Sequence, residues 1–159
     1  MKSLVVYYSL TGKTRLVAQV IAEALNAGLV EIQEKRPVPM PFVYLSGGFA
    51  ALTDRGRKIN PIDVDLKQYE RIFVGSPIWA SRPAPAINSF IYQADFEGRD
   101  IIPFFTMGAD NADKGLANIT AKIEQRQGKL AGSFAIASYR VSGEEIIARA
   151  KESAKRYSS

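Results

Sequence analysis

The chain contains neither cysteine nor histidine. The first absence excludes disulfides, thiolate metal sites and a cysteine nucleophile; the second removes the commonest general base and transition-metal ligand. Any redox chemistry must therefore come from a bound cofactor. A long hydrophobic run is also missing. The first apolar stretch, Leu4-Val5-Val6-Tyr7-Tyr8, spans about five residues, too few for a secretory signal core or a membrane span. A cytoplasmic protein without a membrane partner is expected. With 159 residues and 47% hydrophobic content, residues 1–159 are most simply read as one domain that buries its core without metals or cross-links.

Acidic residues are in the minority, 16 against 21 Lys and Arg, which gives a net charge of +5 and an isoelectric point near 9.5. Such an excess attracts anionic partners. Nucleic-acid binding would call for basic residues gathered on one face with exposed aromatics to stack bases. Here they are spread along the chain, so no nucleic-acid partner is expected.

Residues 4–8, 71–76, 101–106 and 130–139 are nearly continuous apolar runs, the pattern of strands buried on both faces. Residues 29–33 alternate and suit an edge strand. Between the runs lie helical periods: Leu16, Val17, Val20, Ile21, Ala24 and Leu25 share one face, with Asn26 and Gly28 as the stop. Further helices are expected at 42–57, 84–93, 114–127 and 143–157, the last opened by Ser142 and Glu145 at capping-box spacing. This alternation predicts an α/β parallel sheet covered by helices on both faces, with the ligand site beyond the carboxyl ends of the strands. Pro103 resists the scheme, because proline in an internal strand removes a ladder hydrogen bond; a bulge would accommodate it.

Three loops should converge at that end. Ser9-Leu10-Thr11-Gly12-Lys13-Thr14 ends in Gly-Lys-Thr like a nucleoside-triphosphate loop, but such a loop also needs glycine where this chain has Tyr7. What remains is a set of hydroxyls and backbone N–H groups at a helix start, suited to a compact dianion. Plain helix capping by Thr11 and Thr14 is the alternative. The second loop, in Gly-Ser-Pro-Ile-Trp-Ala-Ser-Arg-Pro, holds the chain's only tryptophan, Trp79, between Pro77 and Pro83. There it can stack on a flat ligand or fold back over a helix. The third, from Thr106 through Met107, Gly108, Ala109 and Asp110, offers small and polar residues for close backbone approach. Lys13, Lys35, Arg36, Arg82 and Lys114 fall in or beside ligand-end segments, with solvated surface charge as the alternative reading.

Together the loops resemble the flavodoxin family. Ser9 to Thr14 matches its Ser/Thr-x-Thr-Gly-x-Thr phosphate loop, Gly75-Ser76-Pro77-Ile78-Trp79 its isoalloxazine loop, and Phe104-Phe105-Thr106 with Gly108 its third flavin loop. The resemblance implies a flavodoxin-like three-layer sandwich, a five-stranded parallel sheet of order 2-1-3-4-5 with FMN at the switch point. By carry-over, Ser9, Thr11, Gly12 and Thr14 hold the phosphate, and Leu10 and Lys13 complete the cofactor-binding loop. Pro77, Ile78, Trp79 and Ala80 lie along the ring, and Thr106, Met107, Gly108, Ala109 and Asp110 meet its pyrimidine edge. Three departures stand out. Electron-carrier flavodoxins are typically acidic and this chain is basic, the third loop lacks a second aromatic, and Ala80 and Ser81 stand where glycine often eases a redox-linked peptide flip.

The implied function is electron transfer with a redox protein partner. The alternative is an oxidoreductase of the same fold that reduces a quinone, flavin or other small acceptor with NAD(P)H. A receiver-type signalling domain would want acidic residues after the first strand, where Tyr7-Tyr8-Ser9 has none, and a dinucleotide-binding G-x-G-x-x-G is absent.

Overall fold

Along the first strand every side chain is buried, Val5 and Tyr7 toward one side and Leu4 and Val6 toward the other. This is what an apolar run without alternation requires, and it calls for helices on both faces. The structure, a computed structural model, describes residues 1–39, 42, 56–108 and 112–158. In chain order its elements are β1 (Ser3–Tyr7), α1 (Lys13–Leu25), β2 (Gly28–Glu31), β3 (Arg71–Trp79), β4 (Arg82–Pro83) and α2 (Pro85–Gln93). They continue with β5 (Asp100–Met107), α3 (Asp113–Gln125), β6 (Lys129–Leu130), β7 (Phe134–Ala137) and α4 (Gly143–Lys155).

Strands pair in the order β2-β1-β3-β5-β6, with β7 continuing along the outer edge of β5 and β4 folded antiparallel onto the end of β3. With β6 and β7 counted as one interrupted strand and β4 set aside, this is the expected 2-1-3-4-5 parallel sheet. Helices α1 and α4 cover the face that carries Val5, Phe73, Ile102 and Phe104. On the other face α2 and α3 bury Leu4, Val74, Ile101 and Phe105. The edge position expected for residues 29–33 belongs to β2, which among the described residues pairs with β1 alone. Ser142 does open α4, its Oγ accepting from Glu145 N–H at 3.2 Å. Asn26 ends α1 in the left-handed region, φ 49°. Among the described residues no helix is long and apolar enough to cross a membrane.

Three sequence expectations change. The helix placed at 42–57 lies mostly outside the described residues, and residues 56 and 57 at its end are not helical. The run 71–76 extends through Trp79, because residues 77–79 keep pairing with β5 and then with β4. The single strand placed at 130–139 is two short strands, and Pro103 accounts for the break. Carbonyls of Arg99, Ile101 and Met107 accept from Lys129, Ala131 and Ser138, so odd-numbered residues of β5 face the outer edge. Pro103 offers no N–H there. Pairing stops at Ile101↔Leu130 and resumes at Phe104↔Phe134, one residue out of step. The extra residue thus sits in the outer strand, while β5 keeps unbroken register with β3 from Asp100 to Thr106.

Gly75 shows how tightly that register is held. A β-carbon there would lie 2.2 Å from Phe104 Cζ, and Phe104 is fully buried and stacked on Phe134 at 5.5 Å with 10° between the rings. The ring has nowhere to move. Gly75→Ala is therefore expected to destabilise the protein by about 1–3 kcal/mol, the usual cost of overpacking a dense core, read as a lower urea midpoint with an unchanged slope. An unchanged midpoint would show that the ring yields.

Candidate functional site

The carboxyl ends of β1, β3 and β5 open onto one cleft of about 360 Å³, within the size range of small-molecule sites. Leu10, Thr11, Lys13 and Thr14 come from the first loop, Pro77, Ile78 and Trp79 from the second, and Thr106, Met107 and Gly108 from the third. Ala80 lies just outside, in the hairpin turn, and Ala109 and Asp110 lie outside the described residues. Ser9 shapes the loop: its Oγ accepts from Gly12 N–H at 3.1 Å.

Helix α1 begins without a side-chain cap. Its N-cap is Gly12 at φ 92°, a conformation costly for any other residue, and neither Thr11 nor Thr14 caps the helix. Its first N–H groups are therefore left for an outside acceptor, at the positive end of the helix dipole. Thr11 is exposed, and its hydroxyl makes no hydrogen bond among the described residues. Thr14 behaves differently. It is buried and shares a 2.6 Å hydrogen bond with the Thr106 hydroxyl, tying the first turn of α1 to the end of β5. Lys13 is more than a surface charge, since its Nζ donates to the Ser138 carbonyl across the cleft.

The second loop is a two-residue hairpin. Ile78 pairs with Pro83 and Trp79 with Arg82, and the turn residues Ala80 and Ser81 take φ 49° and 61°. Both central residues at positive φ make a turn of the I′ kind, normally built from Asn and Gly. The side chains thought to discourage positive φ at this turn are thus already held there. Pro77 costs no hydrogen bond: Gly75 faces β1, where its carbonyl accepts from Tyr8 N–H at 3.0 Å, and two residues on the β1 ladder has ended. Trp79 packs in part against the core on the α2 and α3 face. It remains partly exposed in the cleft and meets Tyr8 edge to face, centroids 5.9 Å apart. Burial, and then the neighbouring Glu34 carboxylate, holds the Tyr8 phenol well above its ordinary range.

Two lining residues fall outside the three expected loops, Ser138 and Tyr139, which follow β7. Ser138 is buried, and its N–H and Oγ both donate to the Met107 carbonyl, at 2.8 and 3.2 Å. Tyr139 is 66% exposed, with the Arg140 guanidinium 5.3 Å from its ring centre. It is a second aromatic for the cleft, supplied by the fourth loop instead of the third. In the sequence Tyr139 closes the apolar run 130–139 and so reads as strand; the end of β7 at Ala137 is what frees it for the cleft.

The cleft thus joins an uncapped helix start and hydroxyls, suited to a phosphate, with two aromatics suited to a flat ring. Residues 50–149, more than half of the chain, match the family model described as Flavodoxin. The chain belongs to the flavodoxin family. A flavodoxin-like domain-containing protein of Clostridioides difficile, BilS, is 30% identical over 137 residues, 84% of this chain and 64% of that protein. The chain thus spans just under two thirds of that relative's length. Among solved structures, a flavoprotein from Lactobacillus acidophilus in complex with FMN gives a TM-score of 0.75 at 22% identity, covering 84% of this chain and 92% of that one. Flavodoxin 2 from Bacillus cereus gives 0.62 at 18%, covering 99% and 97%. At these identities the likeness concerns the fold, which is the flavodoxin sandwich. The donor set here fits FMN: the α1 start would take its phosphate, and Trp79 and Tyr139 would flank its ring.

The Thr14–Thr106 bond ties loop to strand, so its removal should be felt in stability. Thr14→Val or Thr106→Val leaves a buried hydroxyl without its partner and is expected to cost about 1–3 kcal/mol. The double variant should cost clearly less than the two together, which a double-mutant cycle by urea denaturation will measure. Additive losses would mean the two hydroxyls are independent.

Proposed function

We propose that this chain binds FMN and acts as an electron carrier. The observation that carries the reading is that Trp79 at the end of β3 and Tyr139 just after β7 line the same cleft as the exposed Thr11 hydroxyl and the uncapped start of α1. In this reading Ser9, Thr11 and the first N–H groups of α1 hold the phosphate. Neutralising a dianion by dipole and hydroxyls needs no lysine, which leaves Lys13 to its bond with Ser138. Backbone groups of 77–80 and 106–108 meet the polar edge of the ring, and the two aromatics exclude water from its faces. Bound FMN supplies one- and two-electron redox chemistry. Stacking on both sides leaves little room for a second flat ring, as a nicotinamide would need for hydride transfer. The NAD(P)H-dependent oxidoreductase is the second reading, favoured by an open cavity beside the hairpin lined by Ser81, Arg82 and Lys114, where an anionic donor would find positive charge.

Two measurements test this. FMN should bind, and Thr11→Ala should weaken it roughly ten- to a hundredfold, the effect of losing a hydrogen bond to a charged group, while the fold stays intact. Anaerobic mixing of the FMN-loaded protein with NADH, and separately with NADPH, should bleach the flavin no faster than free FMN. Faster bleaching with either donor would replace the carrier with the oxidoreductase.

A further inference from the structure

Beyond the cleft, residues 33–36 leave the carboxyl end of β2 and run antiparallel to residues 57–60. Lys35 N–H donates to the Lys58 carbonyl at 2.9 Å and Asn60 N–H to the Gln33 carbonyl at 2.8 Å, with a bridge between Glu34 and Ile59. Ile32 and Ile59, both buried, anchor these segments in the core. The pair holds Lys35, Arg36, Arg57 and Lys58 around one open cavity. Arg57 is engaged with Glu34 at 3.3 Å, and the Glu34 side chain is only 5% exposed. That acid is thus committed and does not neutralise its neighbours. Lys35, Arg36 and Lys58 remain exposed, with no acidic partner among the described residues.

The basic cluster is linked to the cleft by contact. Glu34 lies beside the Tyr8 phenol, and Tyr8 packs edge-on against Trp79. On other sides of the cleft, Arg140 stands over Tyr139 and Lys114 lines the cavity beside the hairpin. Positive charge therefore flanks the proposed FMN cleft on more than one side, an arrangement that steers an oppositely charged partner and fixes its orientation. We propose that Lys35, Arg36 and Lys58 form the docking surface for the acidic face of a partner redox protein. The proposal rests on the electron-carrier reading. Among anionic macromolecules a protein fits best, because an electron-transfer partner must approach the cleft whereas a nucleic acid gains nothing from lying beside it.

The test uses a fluorescein-labelled decaglutamate peptide as the probe for an acidic face and follows its anisotropy at low salt, with and without FMN. Lys35→Glu with Lys58→Glu should weaken binding at least tenfold. Lys129→Glu with Lys151→Glu changes the net charge equally on other surfaces and should weaken it less than threefold. Binding should fall steeply with added salt, as charge attraction is screened over about 8 Å at physiological ionic strength. Equal losses in the two pairs would overturn the proposal, since binding would then follow net charge alone. So would tight binding of a labelled 20-base-pair duplex at physiological salt that the Lys35 and Lys58 changes abolish, which would assign the patch to nucleic acid. FMN titration of the same variants keeps the two claims apart: loss of the peptide with FMN retained tests docking, and failure of the wild type to take up FMN counts against the carrier alone.

Discussion

Unbroken parallel pairing of β3 with both neighbours is the constraint on which the rest depends. Because β1 runs in register from Ser3↔Arg71 to Tyr7↔Gly75 and β5 to Pro77↔Thr106, three chain segments must end side by side. A slip of one residue would turn every side chain to the opposite face. Here both faces are packed and Gly75 lies under the Phe104 ring, so the shape of the core itself opposes the slip. The cleft is a product of this ladder more than of the loops that line it.

On that platform the loops hold conformations a free chain would avoid. Ala80 and Ser81 occupy the left-handed region, where each residue costs roughly 1–2 kcal/mol, and the pairing of Ile78 with Pro83 and Trp79 with Arg82 holds them there. Gly12 lets the chain turn into α1 without a capping side chain, which keeps donors free at the cleft. Thr14 with Thr106, and Lys13 with the Ser138 carbonyl, then tie the first loop to the far side. Preorganised donors of this kind bind an anion without a large ordering cost.

Much of this was legible in the sequence where period and composition speak directly. Doubly buried strands read as continuous apolar runs, the α1 face read from its spacing, and Asn26 and Ser142 marked helix ends. Tertiary pairing hid the remainder. Nothing local in 130–139 signals a break, because its cause, the missing N–H of Pro103, lies in the neighbouring strand. Pro77 and Trp79 read as loop because proline usually ends a strand, yet here the β1 ladder has ended before Pro77 and no bond of it is lost. Tyr139 was hidden by its inclusion in that long strand, and only the fold brings it into the cleft that Trp79 also lines. The basic patch needed an antiparallel bridge between residues far apart in sequence.

The claim at the centre is that FMN lies against Trp79. Since this is the only tryptophan in the chain, its fluorescence reports that contact without a label. Titration with FMN should quench most of the emission in a saturable way that ends at one FMN per chain. FMN that binds and leaves the Trp79 emission unchanged would contradict the account, as would emission that falls only in proportion to added FMN with no saturation.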